Sequence, residues 1–154
     1  FNYSAAKAGI AVMAINAHHE LNARYGVRSY AIAPGARTRL TLSSPGAVDA
    51  VQPPEDGGFD FYGPQNVAPF VLWLAAQGCP APSGTVYGVE GDLIRRYQPW
   101  TIAATVDNAG RPWTFGELDA VSADLADGTP VISAVDVIAM TAEYVRRLRP
   151  EATG

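Results

Sequence analysis

The sequence predicts an α/β fold in which short buried strands alternate with helices, followed by a small helical extension. Three observations support this prediction. A long helical stretch covers residues 3–25, a short apolar segment covers residues 27–33 and ends in Pro34-Gly35, and a second helix and strand pair follows at 66–77 and 84–88. Short, mostly apolar segments closed by Pro or Gly are typical of buried parallel strands.

The first helix is rich in alanine, with larger apolar residues at Ile10, Met13, Ile15 and Leu21. Gly26 follows the last helical residue and is a typical C-cap. Alanine on several faces allows close packing on more than one side, so we expect this helix to be buried on two sides.

The segment from Leu40 to Gly63 contains Pro, Gly, Asp and Ser every few residues and is predicted to be a long loop. Loops of this length in compact domains commonly serve as lids or binding loops. Helical spacing resumes over residues 66–77, where Pro69 is tolerated because it lies near the start of the helix.

Residues 92–154 are predicted to form an extension to the domain of residues 1–91. Thr114 and Glu117 form a T-x-x-E capping box, which predicts a helix running to about Leu125. Ser133 and Asp136 predict the start of a final helix.

Composition excludes several classes of function. The net charge of -4, with 48% hydrophobic and 17% charged residues, is ordinary for a globular protein and gives no basic surface for nucleic acid or an anionic membrane. The one cysteine, Cys79, cannot form an internal disulfide and has no neighbouring ligands for a metal. The apolar run from Gly9 to Ile15 is too short to span a bilayer, and we expect a cytoplasmic protein.

Tyr3 and Lys7 are the clearest candidates for chemistry. Residues four apart on a helix point the same way, so the phenol and the ammonium group can face one site. A nearby cation favours the phenolate, which makes the phenol a usable proton donor and acceptor. Lys7 is the only lysine in the chain. The alternative is an exposed tyrosine with an unrelated lysine on a solvated face.

The order of these segments resembles the short-chain dehydrogenases/reductases. The matching blocks are YSAAKAGI, YGVRSYAIAPGARTRLT, NVAPFVLWLAA and SGTVYGVEG, which occur in the family's order, and the resemblance extends over residues 1 to about 91. The resemblance implies the C-terminal half of a Rossmann-type, doubly wound parallel sheet.

The resemblance also implies roles for individual residues. Tyr3 would exchange a proton with the substrate hydroxyl or carbonyl, and Lys7 would assist it and hold the ribose of the nicotinamide cofactor, NAD or NADP. Pro34, Gly35 and Ala36 would present backbone to the nicotinamide. Thr38 would bind the carboxamide or the pyrophosphate, although it lies one residue closer to Pro-Gly than is usual in the family.

Other parts of the family pattern do not occur in these residues. The Gly-rich turn that seats the pyrophosphate is absent, as are the catalytic Asn and Ser. We therefore expect the chain to be the C-terminal half of a dehydrogenase, inactive by itself. In the complete protein the helix Tyr3 to Tyr25 is expected to pack against its copy in a homo-oligomer.

The extension is similar to that of the dehydrogenase unit of multifunctional enzymes, which implies a 3-hydroxyacyl-CoA substrate. The aromatic residues of the long loop favour a bulky acyl or steroid-like substrate over a small polar sugar. Phe59, Phe61 and Tyr62 form an aromatic cluster between glycines in the long loop, and we expect them to close over the substrate. Packing of these rings onto the domain or onto a neighbouring subunit is the alternative.

Two other interpretations stay open. The chain could be a non-catalytic structural or regulatory subunit that pairs with another dehydrogenase chain. It could also be an unrelated α/β binding domain in which the Tyr-x-x-x-Lys spacing arose by chance.

Overall fold

The structure is a computed structural model that describes residues 2–43, 47–126 and 134–148. The chain divides into two compact units, residues 1–99 and 100–154. The first unit contains α1 (Asn2–Ala17), a π-helical turn (His18–Asn22), α2 (Ala23–Tyr25), β1 (Tyr30–Gly35), α3 (Arg39–Leu42), α4 (Ala47–Ala50), a 3-10 turn (Pro64–Asn66), α5 (Ala68–Ala75), β2 (Thr85–Glu90) and β3 (Leu93–Tyr97).

A three-stranded sheet in the order β1-β2-β3 lies at the centre of the first unit. Strands β1 and β2 are parallel, with Tyr30 opposite Thr85 and Gly35 opposite Glu90. Strand β3 was not predicted, and it returns antiparallel to β2 through a tight hairpin. The mixed α/β architecture predicted from the sequence is confirmed.

Strand β1 begins three residues later than predicted, because residues 28 and 29 have other partners. The Arg28 guanidinium donates to the carbonyl of Ala76 (2.8 Å). Ser29 Oγ donates to the carbonyl of Ala14 (2.6 Å), and its amide donates to Ser83 Oγ (3.0 Å). These bonds fix the connection between the first helical region and β1, so the pairing of β1 with β2 begins only at Tyr30.

The core lies between α5 and the face of the sheet that it covers. Leu74, Ala81, Tyr87 and Val89 form a buried cluster, in which Val89 is 1% exposed. The ring of Phe70 packs edge-on against Tyr87, with centroids 5.2 Å apart. Pro69 lies in the first turn of α5, as predicted, where a missing amide hydrogen costs little.

The first helix extends over residues 2–25 but includes a π-helical turn at His18–Asn22 that was not predicted. His18 lies directly against Gly84, where an added Cβ would come within 2.8 Å of the His18 Cβ. Gly26 ends the helix in the left-handed conformation (φ 68°), which confirms the predicted C-cap. Burial on two sides is not seen, since Ala14 is the one buried residue among those described in α1.

The segment predicted as one long loop contains two short helices, α3 and α4. Thr38 caps α3, because its side chain accepts a hydrogen bond from the amide of Thr41 (3.2 Å). Part of this segment, residues 44–46, lies outside the described residues.

The second unit contains α6 (Phe115–Leu125) and α7 (Ala134–Leu148). The predicted capping box is confirmed: the Thr114 amide donates to the Glu117 carboxylate (2.9 Å), and the Glu117 amide donates to Thr114 Oγ1 (3.3 Å). The hydrogen bonds that the Thr114 amide and hydroxyl donate to the carboxylate lower the pKa of Glu117. The predicted cap Ser133 lies outside the described residues.

Candidate active site

Tyr3 and Lys7 lie together on the first two turns of α1. The Lys7 ammonium is over the face of the Tyr3 ring, with its nitrogen 5.4 Å from the ring centroid. The Tyr3 side chain is 74% exposed. The predicted juxtaposition of a phenol and a cation is therefore present, and it lies on an open surface of the described chain.

The direction of α1 shows which end of the sheet this pair is near. We infer that the helix runs antiparallel to β1, because only residues 26–29 separate the helical region from the strand and the chain must turn back there. The bond from Ser29 to Ala14 (2.6 Å) holds Ala14 near the amino end of the strand. From Ala14 the helix rises about 16 Å to Tyr3. From Ser29 the extended chain rises about 20 Å to Gly35. From this direction we expect Tyr3 near the end of the unit where β1 and β2 have their carboxyl ends, which is where open α/β sheets bind ligands.

Pro34, Gly35 and Ala36 lie at this carboxyl end. Pro34 is paired with Val89 and Gly35 with Glu90 across the parallel ladder. A Cβ added to Gly35 would come within 2.7 Å of a Glu90 carboxylate oxygen and 2.8 Å of the Glu90 Cβ. A side chain at position 35 would therefore collide with Glu90. This contact is a second reason for glycine there, in addition to the predicted approach of a nicotinamide.

Glu90 was not among the predicted site residues, although it is the last residue of β2 and lies next to Gly35. Its carboxylate forms an ion pair with Arg95 on β3. The hairpin thus holds a carboxylate against the backbone of the Pro-Gly segment. Because β3 was not predicted, the sequence did not indicate that Arg95, which lies opposite Gly88, would form an ion pair with Glu90.

Thr38 and Thr41 form a pair of hydroxyls just beyond Gly35. Their Oγ1 atoms are 3.0 Å apart, and Thr41 Oγ1 also donates to the carbonyl of Ala36 (2.9 Å). Thr41 was not predicted as a site residue. The signal that points to it is the spacing of three from Thr38, which places both hydroxyls on one turn of α3.

The predicted aromatic cluster of the loop divides into an exposed and a buried part. Phe61 is 5% exposed and its ring covers Gly91 in the β2–β3 hairpin. Phe59 is 55% exposed and packs edge-on against Phe61, with centroids 6.4 Å apart. Tyr62 packs edge-on on Phe61 at 4.9 Å. Phe61 thus anchors the loop, and Phe59 is the ring that remains accessible to a ligand.

Two open grooves border the sheet. One, of about 420 Å³, lies between α5 and the β2–β3 hairpin and has Phe70, Trp73 and Ile94 in its walls. The other, of about 530 Å³, lies beside β1 and includes Arg28 and Tyr30. Neither groove is lined by Tyr3, Lys7 or the Pro34–Thr38 segment, so the candidate site is separate from both.

Within the described ranges there is no group of three or more His, Cys, Asp or Glu side chains placed to hold a metal ion. None of the helices described there has both the length and the apolar character needed to cross a membrane.

Comparison with known proteins identifies relatives that match most of this chain. No protein-family model matches the chain. The chain is 35% identical over 127 residues to the hydroxyacyl-CoA dehydrogenase ChsB1 of Mycobacterium tuberculosis, a match that covers 82% of this chain and 39% of that protein. It also matches the crystal structure of a short chain dehydrogenase from Mycobacterium avium, with a TM-score of 0.62 and 36% identity, over 85% of this chain and 40% of the other. The chain therefore spans about two fifths of the length of these relatives.

Proposed function

This chain is a homologue of the short-chain dehydrogenases over most of its length, and we propose that the complete protein is an NAD- or NADP-dependent dehydrogenase of hydroxyacyl-CoA thioesters. The observation that carries this proposal is the contact of the Lys7 ammonium with the Tyr3 ring, in a chain whose parallel strand β1 ends in Pro34-Gly35. The similarity to a hydroxyacyl-CoA dehydrogenase supports an acyl thioester as the substrate class.

In this proposal Tyr3 acts as the general base of the oxidation. Its phenolate oxygen accepts the proton of the substrate hydroxyl while the carbon that bears the hydroxyl loses a hydride, and a ketone results. Lys7 provides a positive charge next to the phenol. In the reverse reaction the neutral phenol returns the proton to the oxygen of the ketone.

The residues at the site fit a nicotinamide cofactor in their chemistry. The Lys7 ammonium and the hydroxyls of Thr38 and Thr41 are the hydrogen-bonding groups that a ribose and a carboxamide require. The backbone of Pro34, Gly35 and Ala36 offers a surface next to them. When bound, the nicotinamide accepts the hydride that leaves the substrate.

We propose that the complete protein is a homo-oligomer joined through the first helix. Ile10 and Met13 are 53% and 69% exposed on α1, which is a large apolar surface for a helix. A second copy of the same helix would bury these side chains and would leave Tyr3 close to the interface.

The experiment is an assay of the purified complete protein with NAD or NADP and a matched panel of alcohols. The panel contains short and long 3-hydroxyacyl-CoA thioesters, a CoA thioester with a steroid-like acyl group, the free hydroxy acids and a sugar alcohol. We expect the absorbance of reduced nicotinamide to appear with the thioesters, and the values of kcat/KM to exceed those for the free acids.

A protein that binds neither dinucleotide and oxidises no member of the panel would contradict the proposal. If that protein also formed a stable complex with a separate dehydrogenase chain and changed the activity of that chain, the structural or regulatory subunit would be the better interpretation.

A further inference from the structure

Arg37 connects two parts of the candidate site that are far apart in sequence. It lies between Ala36 and Thr38, in the segment proposed to contact the cofactor, and its amide donates to the carbonyl of Tyr62 (2.7 Å). Its guanidinium donates to the carbonyl of Val51 (2.8 Å) and to Asp60 Oδ1 (2.9 Å). The second terminal nitrogen donates to Asp60 Oδ2 (2.5 Å). One residue thus holds both ends of the stretch from Val51 to Tyr62.

The contact between Arg37 and Asp60 has the geometry of a strong ion pair. Each terminal nitrogen of the guanidinium donates to one carboxylate oxygen, which is the bidentate arrangement that a planar guanidinium favours. The side chains are 19% and 23% exposed, so the pair is partly shielded from solvent. The hydrogen bonds from Arg37 lower the pKa of the Asp60 carboxyl, and Asp60 raises that of Arg37. A fixed geometry of this kind restrains the loop more than a single exposed ion pair would.

The far side of the same loop has anchors of its own. Asn66 Nδ2 donates to the carbonyls of Asp60 (2.8 Å) and Phe61 (3.1 Å). The Phe61 ring is buried against Gly91. Loss of the ion pair would therefore release the part of the loop from Val51 to Phe59 and leave the 3-10 turn and α5 in place.

We propose that Arg37 and Asp60 form a latch that positions the exposed ring of Phe59 beside the cofactor-contacting segment and so determines selectivity for the acyl chain. This inference rests on the proposed function for the identity of the ligand. Arg37 and Asp60 are positioning residues here, since they act through the loop.

The first part of the test needs no substrate. Hydrogen exchange is measured in the complete protein for the wild type, for Arg37→Gln and Asp60→Asn, and for the conservative variant Asp60→Glu. We expect amides in the segment 51–59 to exchange about two- to fivefold faster in the first two variants, because one partly shielded ion pair is lost. Asp60→Glu retains the charge, so protection should largely return. Exchange in 68–75 should not change.

The matched control is Glu143→Gln in α7. It removes exposed ion pairs with Arg146 and Arg147, and it belongs to the second unit. We expect no change of exchange in residues 51–59 for this variant. Unchanged exchange in both Arg37→Gln and Asp60→Asn would overturn the latch.

The second part measures kcat and KM for short and long 3-hydroxyacyl-CoA substrates. We expect Asp60→Asn to raise KM for the long substrate severalfold with little change in kcat, so that the preference between chain lengths falls. An equal loss for all chain lengths would overturn the role in selectivity. An inactive wild type would contradict the proposed function and with it that role, while the exchange experiment would still decide whether the latch exists.

Discussion

Tyr3 and Tyr25 lie at opposite ends of the first helical region, and each has a cation over its ring. The Lys7 nitrogen is 5.4 Å from the centroid of Tyr3, and the guanidinium carbon of Arg24 is 5.1 Å from the centroid of Tyr25. Both side chains are exposed, at 74% and 61%. What distinguishes them is their expected position: the inferred direction of the helix puts Tyr3 toward the carboxyl ends of the strands and Tyr25 toward the amino ends. Tyr25 is thus a control for the chemistry assigned to Tyr3.

Replacement of Gly35 by alanine should destabilise the protein and weaken cofactor binding. The new methyl group would lie 2.8 Å from the Glu90 Cβ, which cannot move away without the backbone of β2. Overpacking of this kind costs about 1–3 kcal/mol. Thermal unfolding and the Kd for the dinucleotide check the prediction. Gly9→Ala is the control, since its Cβ would have nothing within 4 Å. Equal stability of the two variants would show that the contact with Glu90 is unimportant.

The stability contributed by the Arg37–Asp60 pair should decrease in acid. The folded-state pKa of Asp60 lies below its ordinary value of 3.8. Its contribution is therefore complete above the unfolded pKa and is lost as pH falls through the folded pKa. The difference in free energy of unfolding between the wild type and Asp60→Asn should be constant from about pH 5 upward and shrink below about pH 4. Chemical denaturation over this range measures it, and a difference that grows in acid would contradict the assignment.

Replacement by alanine should affect stability at Phe61 and substrate preference at Phe59. Phe61 is buried against Gly91, so Phe61→Ala should cost about 3–5 kcal/mol of stability. Phe59 is more than half exposed, so Phe59→Ala should leave stability nearly unchanged and alter the preference for acyl chain length. Denaturation and kcat/KM with short and long thioesters distinguish the two effects. A Phe59→Ala variant with unchanged preference would show that the ring does not contact the acyl chain.

Features that depend only on residues close together in the sequence were predictable. The capping box at Thr114 and the left-handed residue Gly26 were confirmed, because each depends on a few neighbouring residues. The juxtaposition of Tyr3 and Lys7 follows from the period of one helix in the same way.

Features that depend on contacts distant in sequence were not predictable. Strand β3 forms because β2 offers it a free edge, and its own sequence, LIRRY, has no clear alternation. The start of β1 is set by bonds from Arg28 and Ser29 to residues in α1 and beyond α5. The ion pair of Arg37 joins residues 23 positions apart, and no local pattern indicates it.

At the scale of the whole molecule, the 154 residues match only part of the length of the relatives. They correspond to 39–40% of the length of the two relatives, and among the described strands β1 has a partner on one edge only. A sheet with an exposed edge and apolar helix surface tends to associate. We expect the 154-residue chain alone to associate and to show no dinucleotide binding by calorimetry. A monomeric sample that melts cooperatively and reduces NAD⁺ would contradict this expectation.

The central claim is that Tyr3 transfers the proton in a hydride-transfer reaction, and a single-turnover measurement tests it most directly. Complete wild-type protein, Tyr3→Phe and the control Tyr25→Phe are each mixed with saturating dinucleotide and a 3-hydroxyacyl-CoA, and the formation of reduced nicotinamide is followed. We predict that Tyr3→Phe slows this step by about 10²- to 10⁴-fold, the usual contribution of a general base, with nearly unchanged Kd for the dinucleotide. Tyr25→Phe should react like the wild type. A Tyr3→Phe variant that retains the wild-type rate would contradict the claim.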